Sequence, residues 1–225
     1  MSKSSAQSVT LQVSEGNTVS GLLDLPSNAR ACFVFAHGAG AGMQHASMAS
    51  VAGDLSQQGI ATLRYQFPYM ERGSRRPDPP ALCHATVRAA VAEAARAAPG
   101  LRLVAGGRSF GGRTTSQAQA LAPLPGVGGL AFLAFPLHPA GRPAQDRADH
   151  LSNVEIPMLF LQGTRDELAS LELLEPVVKR LGARATLKLL QEADHSFHVR
   201  ASSGRRDPDV RQELILALVA WIDEL

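Results

Sequence analysis

The order of apolar runs predicts an α/β protein built on one mostly parallel sheet. Two observations carry that reading. First, Ala31–Gly38, Ile60–Tyr65, Leu101–Gly107, Val127–Pro136 and Pro157–Gly163 are near-continuous apolar runs. Such runs lack the alternation of a half-solvated strand and fit strands buried on both faces. Second, segments of helical spacing stand between them, and strand–helix alternation implies a parallel sheet with helices on both faces. The chain has 225 residues, 45% of them hydrophobic and 19% charged, the profile of a globular fold. No internal repeat or long linker divides it, so residues 1–225 are expected to form a single domain.

The elements follow in order. Ser8–Val13 alternates polar and apolar, Glu15, Gly16 and Asn17 supply a turn, and Thr18–Pro26 continues, which reads as an antiparallel hairpin. After the Ala31–Gly38 strand, Met43, Met48, Val51, Ala52 and Leu55 recur at helical spacing, with Gly59 as the closing glycine. Gln66–Pro80 is a loop rich in Pro, Arg and Gly, and Ala81–Ala98 an alanine-rich helix. A helix is expected over Gly111–Leu121, a loop over Leu137–Ile156, a helix over Leu168–Gly182, a strand over Ala183–Leu190 and a loop over Gln191–Arg206. The last helix, Asp207–Leu225, opens with Asp207 as expected N-cap and Pro208 in its first turn.

Composition narrows the function. The formal net charge is +2, with basic clusters at Arg72–Pro77 and Ser202–Arg206 but no basic run interleaved with aromatics. Nucleic acid is therefore not the expected partner. No run reaches the ~18 apolar residues of a membrane span. The polar start "MSKSSAQSVTLQV" lacks the apolar core of a secretory signal, so a cytoplasmic protein is expected. The two cysteines, Cys32 and Cys83, are too few for a disulfide framework and read as buried thiols.

The chemistry collects at strand ends, where ligands gather in such sheets. Gly107-Arg108-Ser109-Phe110-Gly111 fits G-x-S-x-G between a strand and a helix, and four glycines occupy positions 106–112. That is the setting of a nucleophile elbow, in which a sharp turn presents the serine and its neighbours stay small. A serine hydroxyl needs a base, and the base needs an orienting acid. Asp166 follows the strand ending at Gly163, and His195 follows the last strand, so Ser109, Asp166 and His195 stand in acyl-hydrolase order. Glu167 and His198 are the competing acid and base; Glu167 suits a first helical turn and Asp194 a local turn. His195 and His198 lack a second ligand cluster, so no metal is expected.

"FAHGAGAGMQH" follows a buried strand and carries glycines at 38, 40 and 42. Its backbone N–H groups suit a developing oxyanion, and Phe110 and Ala39 are the expected donors, with Gly40 competing. A dinucleotide turn would need G-x-G-x-x-G and a following acid, which "TLRYQF" does not offer. His37 and His45 read as structural or pocket-lining. Arg64, Arg72, Arg75, Arg76 and Arg108 lie on or near site-facing loops, where one could clamp an anionic acyl group, though surface salt bridging is the plainer role.

Taken together, "FAHGAGAGMQH", "LRYQFPYM", "GGRSFGGR", "FPLHPAGRP", "LFLQGTRDELA" and "ADHSFHV" resemble the α/β-hydrolase superfamily near its dienelactone hydrolase-like group. The closest likeness is to the KANL and testis-expressed branch of small hydrolase-like proteins. The resemblance implies an α/β-hydrolase fold and a triad at Ser109, Asp166 and His195. Dienelactone hydrolases proper carry cysteine where Ser109 stands. The intervening segments are too short for a large lid, although Phe67–Pro80 and Leu137–His150 could overhang the site. The expected function is a cofactor-independent serine esterase or thioesterase acting on a small ester or thioester, with an anionic acyl group as one option; a non-enzymatic scaffold of the same fold is the alternative.

Overall fold

The computed structural model describes residues 6–225; the reading of the extreme N-terminus falls partly on residues 1–5, outside them. Eight strands form one sheet: β1 (Gln7–Ser14), β2 (Asn17–Asp24), β3 (Ala31–Ala36), β4 (Ile60–Tyr65), β5 (Arg102–Arg108), β6 (Val127–Leu133), β7 (Met158–Gly163) and β8 (Ala185–Leu190). Their order is β1-β2-β4-β3-β5-β6-β7-β8. β1 and β2 are the expected antiparallel hairpin, and β2 pairs antiparallel with β4. All pairings from β4 through β8 are parallel.

Among the described residues, six α-helices accompany the sheet: α1 (Ala46–Gln57), α2 (Pro68–Glu71), α3 (Pro80–Ala97), α4 (Phe110–Leu121), α5 (Leu171–Leu181) and α6 (Asp207–Glu224). β3 shows why the sheet is covered twice. Cys32, Val34 and Ala36 enter a core shared with α3, α4 and α5, while Ala31, Phe33 and Phe35 enter one shared with α1 and α6. Alternate side chains point to opposite faces, so a strand apolar throughout needs helices on both.

Several boundaries differ from the sequence expectation, each for a local reason. α1 begins at Ala46 rather than Met43, because His45 Nδ1 accepts the Ser47 N–H at 3.3 Å and caps the helix. β6 ends at Leu133, where Ala134 turns to φ 59°. α5 begins at Leu171, because Asp166 Oδ1 accepts the Leu168 N–H at 2.8 Å and holds residues 164–168 in turns. Glu167 is therefore exposed in a turn and not in a first helical turn. Asp207 is the first helical residue of α6, not its N-cap; its carboxylate accepts the Val199 N–H at 2.9 Å and pairs with His198. The three expected loops contain short helical segments: α2, and 3-10 stretches at Asp146–Asn153 and Ala201–Ser203.

Candidate active site

Ser109 sits between β5 and α4 at φ 49°, ψ −117°, a left-handed backbone that a non-glycine residue seldom adopts. The surroundings hold it there. Ser109 N–H donates to Leu133 O at 2.9 Å, and Ser109 O accepts from Arg113 N–H at 3.1 Å. Gly106 has φ +155°, and a Cβ on it would overlap the Ala131 carbonyl oxygen. The other three glycines of the turn abut backbone carbonyls of Ala36, His37 and Gly107. The glycine cluster thus lets β5 and α4 press against β3 and β6 while Ser109 stands out.

Asp166 follows β7 and is 4% exposed. Its Oδ1 accepts from Leu168 N–H, and its Oδ2 accepts from Gln162 Nε2 at 2.5 Å. The His195 loop is built by Asp194, whose Oδ1 accepts from Ser196 N–H at 2.7 Å and His198 N–H at 3.0 Å. That is a local turn of the kind expected of Asp194. The two loops touch at Gly163, where a Cβ would overlap the Ala193 carbonyl. Here His195 Nδ1 lies 2.7 Å from Asp166 Oδ2, and Nε2 lies 2.8 Å from Ser109 Oγ. An ionised carboxylate can only accept, so Nδ1 carries the proton and Nε2 is free to accept from the serine hydroxyl.

The loop after β3 is fastened from the segment after β4. His37, fully buried, donates from Nδ1 to Gly38 O at 2.7 Å and accepts Phe67 N–H on Nε2 at 3.1 Å. Burial pushes its pKa down to about 4, so it is neutral and one tautomer serves both bonds. Tyr69 donates its hydroxyl to Ala39 O at 3.0 Å, and Gln66 Oε1 accepts Met43 N–H at 2.9 Å. A trans peptide sets its N–H opposite the preceding carbonyl. Fixing Gly38 O and Ala39 O therefore fixes the amides of Ala39 and Gly40, the two sequence candidates. Phe110 N–H is the first amide of α4 and has no carbonyl partner inside that helix.

An alpha/beta hydrolase domain model matches residues 29–223. The chain belongs to the alpha/beta hydrolase family. Solved hydrolases of the same fold accompany that match. A dienelactone hydrolase from Anabaena variabilis ATCC 29413 superposes with TM-score 0.81 at 21% identity, covering 99% of each chain. A Xanthomonas campestris protein described as a serine hydrolase without lid gives 0.73 at 21%, covering 98% of this chain and 97% of its own. An esterase domain from Rhodothermus marinus gives 0.72 at 19%, covering 96% and 97%. At these identities the likeness is one of fold.

Within this hydrolase the competing candidates stand apart from the serine. His198 Nδ1 lies 2.8 Å from Asp207 Oδ2 on the surface, and that partner raises the His198 pKa. Of the arginines, Arg64 is not at the site: it is 5% exposed, pairs with Asp24 at 3.0 Å and donates to Met43 O at 3.2 Å. Arg108 reaches back under the histidine loop, donating to His195 O at 3.4 Å and lying over the Phe197 ring. Arg72 pairs with Asp78, and Arg75 and Arg76 are exposed. His37 takes a structural place, one of the two roles its sequence setting suggested; Tyr69 and Gln162 were not singled out, although the "LRYQFPYM" and "LFLQGTRDELA" stretches contain them. Among the described residues, no three His, Cys, Asp or Glu side chains cluster as metal ligands, and no helix is long and apolar enough to cross a membrane.

Proposed function

We propose that this hydrolase is a serine esterase or thioesterase working through an acyl-enzyme on a small ester or thioester. The single observation that carries the reading is His195 bridging Ser109 Oγ at 2.8 Å and Asp166 Oδ2 at 2.7 Å. Ser109 Oγ attacks the carbonyl carbon while its proton passes to His195 Nε2. Asp166 accepts from Nδ1 and stabilises the imidazolium. The carbonyl oxygen takes the displaced electron pair and is held by the amides of Phe110 and Ala39, with Gly40 as the competing second donor. The tetrahedral adduct expels the alcohol or thiol, which takes the proton from Nε2. Water then repeats the sequence, releases the acid and restores Ser109. No cofactor or metal enters any step. On its quoted motifs we also assign the chain to the KANL and testis-expressed branch, as one domain over residues 1–225 acting in the cytoplasm. The esterase and serine-hydrolase names of fold neighbours lean the same way.

The test is intact-protein mass after incubation with a fluorophosphonate probe. Wild type is expected to gain one adduct and Ser109→Ala none, with both folded by circular dichroism. A folded wild type that gains no adduct refutes the reading and leaves the scaffold alternative.

A further inference from the structure

Gln162 is an amide where its strand face is otherwise apolar. β7 is buried along its length, and Met158, Phe160 and Gln162 alternate onto one side of the sheet. Met158 and Phe160 enter the core that includes α5, and Gln162 is fully buried beside them. Its Nε2 donates to Asp166 Oδ2 at 2.5 Å, and its Oε1 is buried with no partner. The orientation is not free. An ionised carboxylate only accepts, so the NH₂ end must face Asp166. An orphaned buried acceptor costs stability. Folding alone therefore gives little reason for an amide here; what it supplies is the bond to Asp166.

That bond competes with the histidine. Asp166 Oδ2 accepts from Gln162 Nε2 and, at 2.7 Å, from His195 Nδ1, while Oδ1 takes the Leu168 N–H. A carboxylate oxygen shares its charge between its donors. The share drawn by Gln162 is withheld from His195, and the imidazolium is stabilised less. A general base must be unprotonated to act, and an unshared carboxylate partner favours its protonated form. The other charged and titratable groups around the pair are Arg108 at the end of β5, His138 after β6, Arg165 and Glu167 on the loop of Asp166, and Asp194 and His198 on the loop of His195. None of them bonds to the Asp166 carboxylate, and exchanging Gln162 for another uncharged residue leaves all of them in place.

We infer that Gln162 is a positioning residue that acts through Asp166: it tempers the hold of the carboxylate on His195, so that the base stays free of its second proton to lower pH. The inference rests on the serine-hydrolase reading and deepens it. Gln162 is fully buried and acts without touching substrate.

The test is the pH profile of kcat/KM on 4-nitrophenyl acetate. Gln162→Met removes the donor and keeps the length of the side chain. Its acid limb should move to higher pH by about one unit, so that it runs about tenfold slower than wild type on the acid side. Its plateau above the limb, and its KM, should stay within about threefold of wild type. A merely structural role lowers the plateau and leaves the limb in place. That result overturns the inference, and so does a profile that does not change at all. In an Asp166→Ala background the carboxylate is gone, and Gln162→Met should move nothing. Labelling rates with a fluorophosphonate give the profile there, and a limb shift as large as in wild type overturns the inference. The ¹⁵N shifts of the His195 ring against pH report the same displacement without turnover. They decide the inference even if wild type neither labels nor turns over, a failure that counts against the hydrolase reading alone. Gln162→Asn, one methylene short of Oδ2, should repeat the shift. If neither variant folds, the side-chain amide of Gln162 in wild type decides: its bonded proton should move upfield as His195 takes its second proton, and no response overturns the inference.

Discussion

Asp166→Asn changes one atom of the proposed relay and leaves its volume intact. The carboxylate now accepts from Leu168 N–H on Oδ1 and from both Gln162 Nε2 and His195 Nδ1 on Oδ2. An asparagine cannot reproduce that set. If its oxygen faces Gln162 and His195, its NH₂ meets the Leu168 N–H, donor against donor. If its oxygen takes the Leu168 N–H, its NH₂ faces Gln162 and His195. The second arrangement has a ready partner: Gln162 Oε1 is buried and unpartnered, and an amide rotation turns it to accept. The remaining NH₂ hydrogen then donates to His195 Nδ1. The proton of the imidazole must move to Nε2, where it points at Ser109 Oγ and removes the base.

The expected loss is that of a triad with the wrong tautomer, about 10⁴ in kcat, or about 5 kcal/mol of barrier. Stability should shift by only about 1–2 kcal/mol, since a lost charge-assisted bond is offset by the removal of a buried charge. The assays are kcat on a neutral acetyl ester, the rate of fluorophosphonate labelling, urea unfolding, and ¹⁵N shifts of the His195 ring. A loss under about tenfold, with Nδ1 still protonated, would refute the argument.

Two further predictions concern the frame of the site. Gly106→Ala forces a Cβ into the Ala131 carbonyl at φ +155° and should cost about 4 kcal/mol or more. Gly40→Ala meets nothing within 4 Å and should leave unfolding within about 0.5 kcal/mol of wild type; urea titrations of both distinguish a close-packed turn from a merely flexible one. The buried His37 has its pKa lowered from 6.5 to about 4 by burial. Between those values the unfolded chain binds a proton that the folded imidazole refuses, so stability is full above pH 6.5 and falls as the pH drops to 4, by about 3 kcal/mol from this residue. His150 is also lowered to about 4, by burial and by Arg113, and acts with the same sign. Urea midpoints at pH 7, 5.5 and 4 should show the fall, and His37→Gln should make it shallower.

The parts of the site legible in the sequence are those that local order determines. Ser109, Asp166 and His195 each follow an apolar run and a turn, so their strand-end positions could be read without knowing which strands are neighbours. The glycines around Ser109 were legible as a tight turn for the same reason. The supports were not. His37 reaches Phe67, and Tyr69 reaches Ala39, across thirty positions of chain. Arg64 shows the difficulty most plainly. As part of "TLRYQF" it looked like a site-facing cation. β4, however, pairs antiparallel with β2, and the register sets Thr62 opposite Asp24, two positions from Arg64 on the same strand face. The guanidinium is therefore drawn into a buried pair with Asp24, and it holds Met43 O from behind. Non-sequential strand order creates that pair, and no spacing rule contains it.

The same dependence explains how the site tolerates strain. A left-handed serine backbone costs on the order of 1–3 kcal/mol and survives only where its surroundings over-determine it. Ser109 is held by hydrogen bonds from both its amide and its carbonyl, and β3 and β6 lie against the glycines on either side. Relaxing the serine would break those bonds and open the β5–β6 contact, a larger loss than the strain released. The loop after β3 is constrained in a similar way, by His37, Tyr69, Gln66 and Arg64 acting on carbonyls and one amide. Proposed nucleophile and proposed oxyanion donors are thus fixed against the same strand, β3, from its two sides. A change in the packing of β3 should disturb both together, whereas a change in the β7 or β8 loops should disturb the histidine and leave the elbow formed.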